Sequence, residues 1–473
     1  MAKQRHSMLE KLSFIKVEGW MVMVILAVGF TATMFYGWYL RHALMDPNKN
    51  WATKLAVKLC LVPDNALKLF ESGLEFNADG WLVQRNPQII DFEKFSGFKI
   101  EDPDFQDDGY LLVSAYSREN QISTIYLYDL KTQDLLWEWV PDYDAIVEMS
   151  DHLRQSRDEG ISPGDTNLRD NWWCMHPYLT EDGNILTHGG YMSVMTMIDP
   201  QGQPVWTLDG YFHHSIERDA DGNFVVNTLE FTPPEETETG REGLTPKDDH
   251  YLIVSPDGER LEEHSILAIL ERHGYRGLLH GVSGWENDLL HTNDVDPIHE
   301  NDEYVQKGDL MISCRNISTV FLYRPSEDRI LWLETGPWLN QHDVDYLGDG
   351  VFSIYCNNLI RGVGKREGIH GDIYTYDMKT GETATPFREI FAREEFYTPE
   401  QGRQRILRNG DAYVELTNAH EIVRISPEKV RWRYAHPVGE GEVGALHWAR
   451  YFHRDELDLA WLDRIQEQPD ASE

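Results

Sequence analysis

From about Gly80 onward the apolar positions fall in short β-branched and aromatic runs. Asp-Gly, Asn-Gly and Pro-Asp-Gly turns separate them, so the pattern predicts strands. One unit recurs: a polar turn, an inner strand, a strand ending in Asp or Pro, and a strand carrying Trp. Asp108-Gly109 leads Tyr110 to Ser114, Thr124 to Asp129 and Leu136 to Trp139. Asp182-Gly183, Asp221-Gly222, Gly308-Asp309, Asp349-Gly350 and Gly410-Asp411 open five further units of the same kind.

Six units that bury their faces only against neighbours predict an all-β fold, a six-bladed β-propeller over residues 80–452. A β-sandwich is the alternative, and six units are many for one. Asp142 to Asn171 and Ser265 to His280 interrupt the spacing with partly helical patterns, and Thr232 to Asp248 reads as a loop. A short helical tail is expected over 453–473.

The N-terminal region has a different pattern. Trp20 to Leu40 carries no charge, with Trp20 at one end and Tyr36, Trp38 and Tyr39 at the other, as in a membrane span with interfacial aromatics. No small-x-small cleavage site follows, so the run reads as a single uncleaved transmembrane helix. The expected order is a tail (1–18), the anchor (19–41), a helical linker (42–79), then the propeller. Lys3, Arg5, Lys11 and Lys16 precede the span, and Arg41, Lys49, Lys54 and Lys58 follow it, so flanking charge leaves the orientation open.

The 473 residues carry a net charge of -37, which argues against nucleic acid and anionic lipid surfaces as partners. Cys60, Cys174, Cys314 and Cys356 form no C-x-x-C pair, and their pairing stays open. There is no Walker motif. The lone G-x-G-x-x-G, Gly439 to Gly444, does not open a βαβ unit, so no cofactor is expected.

Four histidines precede the polar turns: His176, His214, His291 and His342. In a propeller, residues at strand entries face the channel axis, so these imidazoles are expected to converge at one mouth. Arg315, after the strand Leu310 to Ser313, would reach the same axis and make the mouth an anion site. Three imidazoles also suit zinc or copper, but a neighbouring arginine opposes a second cation, so no metal is expected. Asp343 is expected to orient its turn. A histidine at a strand entry also commonly just bonds a turn carbonyl.

Over roughly Gly80 to Arg450 the chain resembles the bacterial arylsulfotransferases, which use aryl sulfates rather than a nucleotide donor. The likeness is sharpest at Phe212-His213-His214, His291-Thr292-Asn293, Ser313-Cys314-Arg315-Asn316, Gln341-His342-Asp343-Val344 and Asn357-Asn358. The resemblance implies a six-bladed propeller in the periplasm, tethered to the bacterial inner membrane. It implies an aryl sulfate donor, a phenolic acceptor and ping-pong transfer through a sulfohistidine at His342. His214, His291 and Arg315 would support the sulfuryl group, and either histidine would shuttle the phenolic proton. Asn293, His176 and Asn358 would bind substrate. A non-catalytic, membrane-tethered binding or assembly platform is the rival expectation. A homo-oligomer or a membrane-protein partner stays open.

Overall fold

The computed structural model describes residues 18–45, 74–76, 82–84, 88–158, 169, 172–190, 193–231, 247–282, 288–360 and 368–466. They belong to two units, Met1–Arg85 with Glu238–Leu244, and Asn86–Thr237 with Thr245–Glu473. The helix expected for Trp51 to Phe70, Cys60 and most of the Thr232 to Asp248 loop lie outside the described residues.

In the first unit, helix Gly19–Met45 contains a stretch, Trp20–Gly37, long and apolar enough by length and composition to cross a membrane. Its Thr31 and Thr33 hydroxyls donate to the carbonyls of Ala27 and Gly29 at 2.8 and 2.9 Å, so neither is left unsatisfied in apolar surroundings. Leu74–Phe76 and Leu82–Gln84 form an antiparallel pair.

The second unit is mostly β, built from antiparallel sheets. Six strands head the successive four-strand runs: β1 (Cys174–Leu179), β2 (the second half of Pro204–Arg218), β3 (Thr292–Pro297), β4 (Gln341–Gly348), β5 (Arg403–Ile406) and β6 (Leu446–Phe452). Pro204–Arg218 is long enough to end one run and begin the next, which fuses two runs into a seven-stranded sheet. The C-terminal β6 heads the sheet of Tyr110–Ser117, while Gly97–Ile100 adds an outer strand to the sheet headed by β5.

These leading strands correct the expected unit. The strand after each polar turn is second in its four-strand run, and in five of the six units the strand before the turn is first; the run of Tyr110–Ser117 takes its first strand, β6, from the far end of the unit. β3 reads Thr-Asn-Asp-Val-Asp-Pro and β4 begins Gln-His-Asp-Val-Asp, so neither carries the apolar signal of an ordinary strand. They are buried nonetheless, because their polar groups bond one another.

β6, β1, β2, β3, β4, β5 and again β6 pack side by side in that cyclic order. Side chains clip β2 to β3, β3 to β4 and β4 to β5: the Val295 amide donates to Ser215 Oγ (3.1 Å), Val344 N to Asp294 Oδ2 (2.9 Å) and Gln404 N to Asp343 Oδ2 (2.8 Å). Ala449 N of β6 donates to Glu415 Oε2 (2.7 Å) on Ala412–Leu416, the strand paired with β5. Asp343 thus fastens β4 to β5.

Apolar clusters fill the spaces between neighbouring sheets. One joins Ile125, Trp139, Trp172, Ile185 and Trp461, the last carried by tail helix Ala460–Gln466. Another seats helix Ile266–Arg272 through Ile266, Ile269 and Leu270 against Val225 and Phe321, with Ser265 Oγ capping its N-terminus. Helices Tyr143–Met149 and Asp151–Asp158 form in the earlier interruption. Cys174, Cys314 and Cys356 are free and buried.

Candidate active site

Each leading strand enters through one residue with left-handed backbone. These are His176 (φ 50°), His214 (57°), His291 (51°), Asn340 (52°), Gln401 (62°) and Trp448 (84°). Such conformations cost about 1–3 kcal/mol for a residue other than glycine and persist where the surroundings over-determine them. His176, His214 and Trp448 lie inside irregular register against the second strand, and His291 and Asn340 directly precede such an irregularity. The entry bulges turn side chains out of the pleat and toward one another.

Three of the four predicted histidines line one narrow pocket of about 10 Å³: His176, His214 and His342, together with Asn293, Gly402, Arg403 and Trp448. His291 flanks it, its ring 5.0 Å from His214, whose ring lies 6.1 Å from His342 and 6.4 Å from His176. Trp448 lies against His176 at 4.0 Å, an aromatic wall that the sequence reading missed.

His342 is held from both sides. Its Nδ1 is 2.5 Å from Asn357 Oδ1, and its Nε2 is 2.9 Å from the Gln401 amide nitrogen. Asn357 Nδ2 donates to the carbonyls of Thr398 (2.9 Å) and Gln401 (2.6 Å), which fixes the direction of its amide. Oδ1 therefore accepts, Nδ1 of His342 carries the proton, and Nε2 keeps its lone pair. Burial pushes the His342 imidazole well below the ordinary histidine range, and the Arg315 guanidinium adds to the effect.

Arg315 sits in a short turn directly after its strand and is nearly buried. Its amide donates to the His291 carbonyl (3.2 Å) and its guanidinium is 3.5 Å from the exposed Glu400 carboxylate. His291 Nδ1 lies 2.8 Å from Asp288 Oδ2. Burial works to raise that carboxyl, but the bond to His291 and the charge of Lys247 hold it below the usual range. An anionic Asp288 orients His291.

Asn293 Nδ2 donates to the Gln341 carbonyl at 3.1 Å, and its Oδ1, like both ring nitrogens of His176, is buried without a hydrogen-bond partner. Both residues line the cavity with polar atoms to spare. Asn358 does not join them. Its side chain bonds the His370 carbonyl and Cys356 Sγ and lines a different cleft with Leu339 and Arg388. Its neighbour Asn357 takes the place expected of it. Alternation across the strand end separates the two, which the dipeptide Asn-Asn cannot reveal.

Beneath the histidines, Arg403 lies 2.7 Å from Glu217 and 3.7 Å from Asp343, and Arg450 reaches Glu217 at 2.9 Å. Burial opposes ionisation of Glu217, yet the two arginines hold it down at about 2. Asp294 and Asp343 are instead pushed well up by burial and by neighbouring carboxylates. Among the described residues no group of three or more His, Cys, Asp or Glu side chains could hold a metal ion.

Residues 176–435 match the family model described as arylsulfotransferase (ASST). The chain belongs to this arylsulfotransferase family. The family match spans His176, His214, His291, Arg315 and His342 and ends before Trp448. No curated protein matches the chain. Among solved structures it is similar to a protein of unknown function from Bacteroides caccae (14% identity, TM-score 0.44, covering 73% of this chain and 99% of that one). It is also similar to the Pan2 WD40 domain of Neurospora crassa (10% identity, TM-score 0.37, covering 72% and 87%). Virginiamycin B lyase from Staphylococcus aureus is a third (11% identity, TM-score 0.36, covering 75% and 89%).

Proposed function

We propose that the protein is a membrane-anchored, six-bladed propeller enzyme that moves a sulfuryl group from an aryl sulfate to a phenol, without a nucleotide donor, through a sulfohistidine at His342. The fixed tautomer of His342 carries the reading. A buried imidazole with Nε2 unprotonated at neutral pH, beside an arginine and two further histidines, is a ready nucleophile for an electrophile bearing negative oxygens.

In the first half-reaction Nε2 attacks sulfur, the N–S bond forms, and the S–O(aryl) bond breaks to release a phenolate that takes a proton. Arg315 and His291 hold the sulfuryl oxygens as preorganised donors, each worth about 2.7–4 kcal/mol of transition-state stabilisation, and His214 faces the phenolic oxygen. The Gln401 N–H occupies the lone pair at rest and turns to a sulfuryl oxygen as sulfur arrives. Nδ1–H stays on Asn357 and spreads the charge of the N-sulfuryl imidazole. In the second half-reaction a phenol oxygen attacks sulfur, its proton leaves, and the N–S bond breaks to restore His342.

Trp448 supplies a face for the aryl ring, and His176 and Asn293 offer polar contacts. Helix Gly19–Met45 supplies the single span, with the propeller on the periplasmic side of a bacterial inner membrane. Six entry residues and six leading strands in cyclic order support six blades.

Full-length protein in detergent, given p-nitrophenyl sulfate with and without phenol beside a His342→Asn control, tests this reading. Phenol-stimulated nitrophenol release that disappears in the control is the expected result. No release from a broad donor panel by folded protein would leave the non-catalytic platform as the better reading.

A further inference from the structure

Behind His214, away from the cavity, lies a second pair of buried titratable groups that the mechanism above does not use. His213 and Asp249 are each 1% exposed. His213 Nδ1 is 2.6 Å from His214 Nδ1, and His213 Nε2 is 3.7 Å from Asp249 Oδ1. The consecutive histidines point to opposite sides of β2, and the bulge at His214 (φ 57°) brings the two Nδ1 edges together. Asp249 belongs to strand Lys247–Val254, where its Oδ1 also accepts the Thr292 amide at 2.9 Å.

A nitrogen–nitrogen contact of 2.6 Å holds one proton between its partners, never two or none. The proton therefore belongs to His213 or to His214, and moving it from one to the other reverses both tautomers. We propose that Asp249, His213 and His214 form a relay that stores the proton exchanged with the phenols between the two half-reactions. This inference rests on the sulfuryl-transfer reading of the site.

The steps balance. In the starting state Asp249 carries a carboxyl proton directed at His213 Nε2. His213 Nδ1–H donates to His214 Nδ1, and His214 Nε2–H faces the cavity. As the S–O(aryl) bond breaks, Nε2–H passes to the phenolate. His214 Nδ1 takes the proton of His213 Nδ1, and His213 Nε2 takes that of Asp249. Asp249 is left as a carboxylate and His214 Nε2 as a lone pair. In the second half-reaction the acceptor phenol gives its proton to that lone pair, and the relay runs back to the starting state. One proton leaves and one returns per cycle. The Asp249–His213 gap must close by about 0.8 Å to ordinary hydrogen-bond length.

The electrostatics support this division of labour. Burial, then the charge of Asp288, pushes the Asp249 carboxyl well above the usual range, so it starts protonated. Burial, then the neighbouring imidazoles, pushes His213 and His214 well below theirs, so both start neutral. His291, held by Asp288, is the donor to sulfuryl oxygen, and His214 is the proton carrier.

The test compares kcat/KM for two donors, phenyl sulfate and p-nitrophenyl sulfate, in full-length wild type, His213→Gln and Asp249→Asn. For a ping-pong enzyme this quantity reports only the first half-reaction. Phenolate is the poorer leaving group and needs the proton; nitrophenolate departs with little help. General acid catalysis contributes about 10²–10⁴-fold, so the p-nitrophenyl-to-phenyl ratio is expected to rise about 100-fold in each variant. Both donors meet the same folded fraction, so partial misfolding cancels in the ratio. An unchanged ratio in active variants, whether both rates fall together or neither falls, overturns the relay and leaves sulfuryl transfer standing. No transfer by wild type from either donor overturns the sulfuryl-transfer reading and the relay with it.

Discussion

Asn357 Oδ1 lies 2.5 Å from His342 Nδ1, and two backbone carbonyls prevent the amide from turning over. The asparagine thereby decides which nitrogen of His342 keeps its lone pair, the nucleophile of the proposed transfer. Asn357→Leu strips Nδ1–H of its acceptor and leaves the ring held by the Gln401 amide alone, so its orientation loosens. Its kcat/KM for p-nitrophenyl sulfate is expected to fall about 100-fold, comparable with loss of a group orienting a catalytic base. Asn358→Leu, in the neighbouring cleft, should leave that rate within about twofold.

The pH profile of the first half-reaction should differ from that of an ordinary histidine. Burial and then Arg315 disfavour the His342 cation, so the nucleophile stays neutral below the usual value of about 6.5. Donor kcat/KM should therefore stay flat as pH falls through 6.5 and drop only at more acid pH. Arg315→Ala removes the largest charge among the causes, so its normalised acid limb should move up in pH. An acid limb near 6.5 in wild type would contradict the burial argument.

Arg315→Ala should also lower kcat/KM at neutral pH by about 10²–10³-fold through loss of a sulfuryl-oxygen donor. Arg315→Lys keeps the charge but not the planar fork and should recover only part of that loss. Steady-state rates with p-nitrophenyl sulfate read both.

Glu415 tests the buried charge of the fold separately from catalysis. Burial raises its carboxyl from 4.5 to about 7, although Thr417 and the Ala449 amide bond it. Below pH 4.5 the group is protonated in both folded and unfolded chains. As pH rises from 4.5 to 7 only the unfolded chain ionises, so folding stability is lost through that window and the loss levels off above 7. Glu415→Gln has no such ionisation. Relative to wild type its stability should rise by on the order of 3 kcal/mol across the window, read as a widening gap between melting curves.

Gly402 borders the cavity at φ 109°, and a Cβ there would lie 2.5 Å from the Tyr355 ring and 2.9 Å from the Thr398 methyl. Gly402→Ala should destabilise by about 3 kcal/mol, strain and clash together. Gly274→Ala, at φ 89° with open space around it, meets only the backbone cost of about 1 kcal/mol. Thermal melts of the two variants separate the terms.

The repeat was legible because Asp-Gly turns and apolar second and third strands are local signals. The convergence of His176, His214 and His342 followed from their placement just ahead of those turns. The leading strands were not legible as strands. They draw their stability from neighbouring strands' side chains, such as Asp294 on Val344 N, and so carry Asn, Asp and His where a strand pattern requires valine. Trp448 was missed because it follows the last polar turn, on a strand paired with residues more than three hundred positions earlier. Asp249 lay at the edge of a stretch read as loop, and nothing local marks its approach to His213. Asn357 was in view and passed over for Asn358, a choice that only the direction of the chain at the strand's end can make.

Leu446–Phe452 completes a sheet whose other strands end by Trp139, and it also delivers Trp448 to the cavity. During synthesis that sheet must wait, with the edge of Tyr110–Ser117 unoccupied, until nearly the entire chain has left the ribosome. A fragment released early lacks both the strand that shuts the ring and the aromatic wall of the pocket. Chains terminated before Leu446 are therefore expected to bring His176, His214 and His342 together without the wall that faces them.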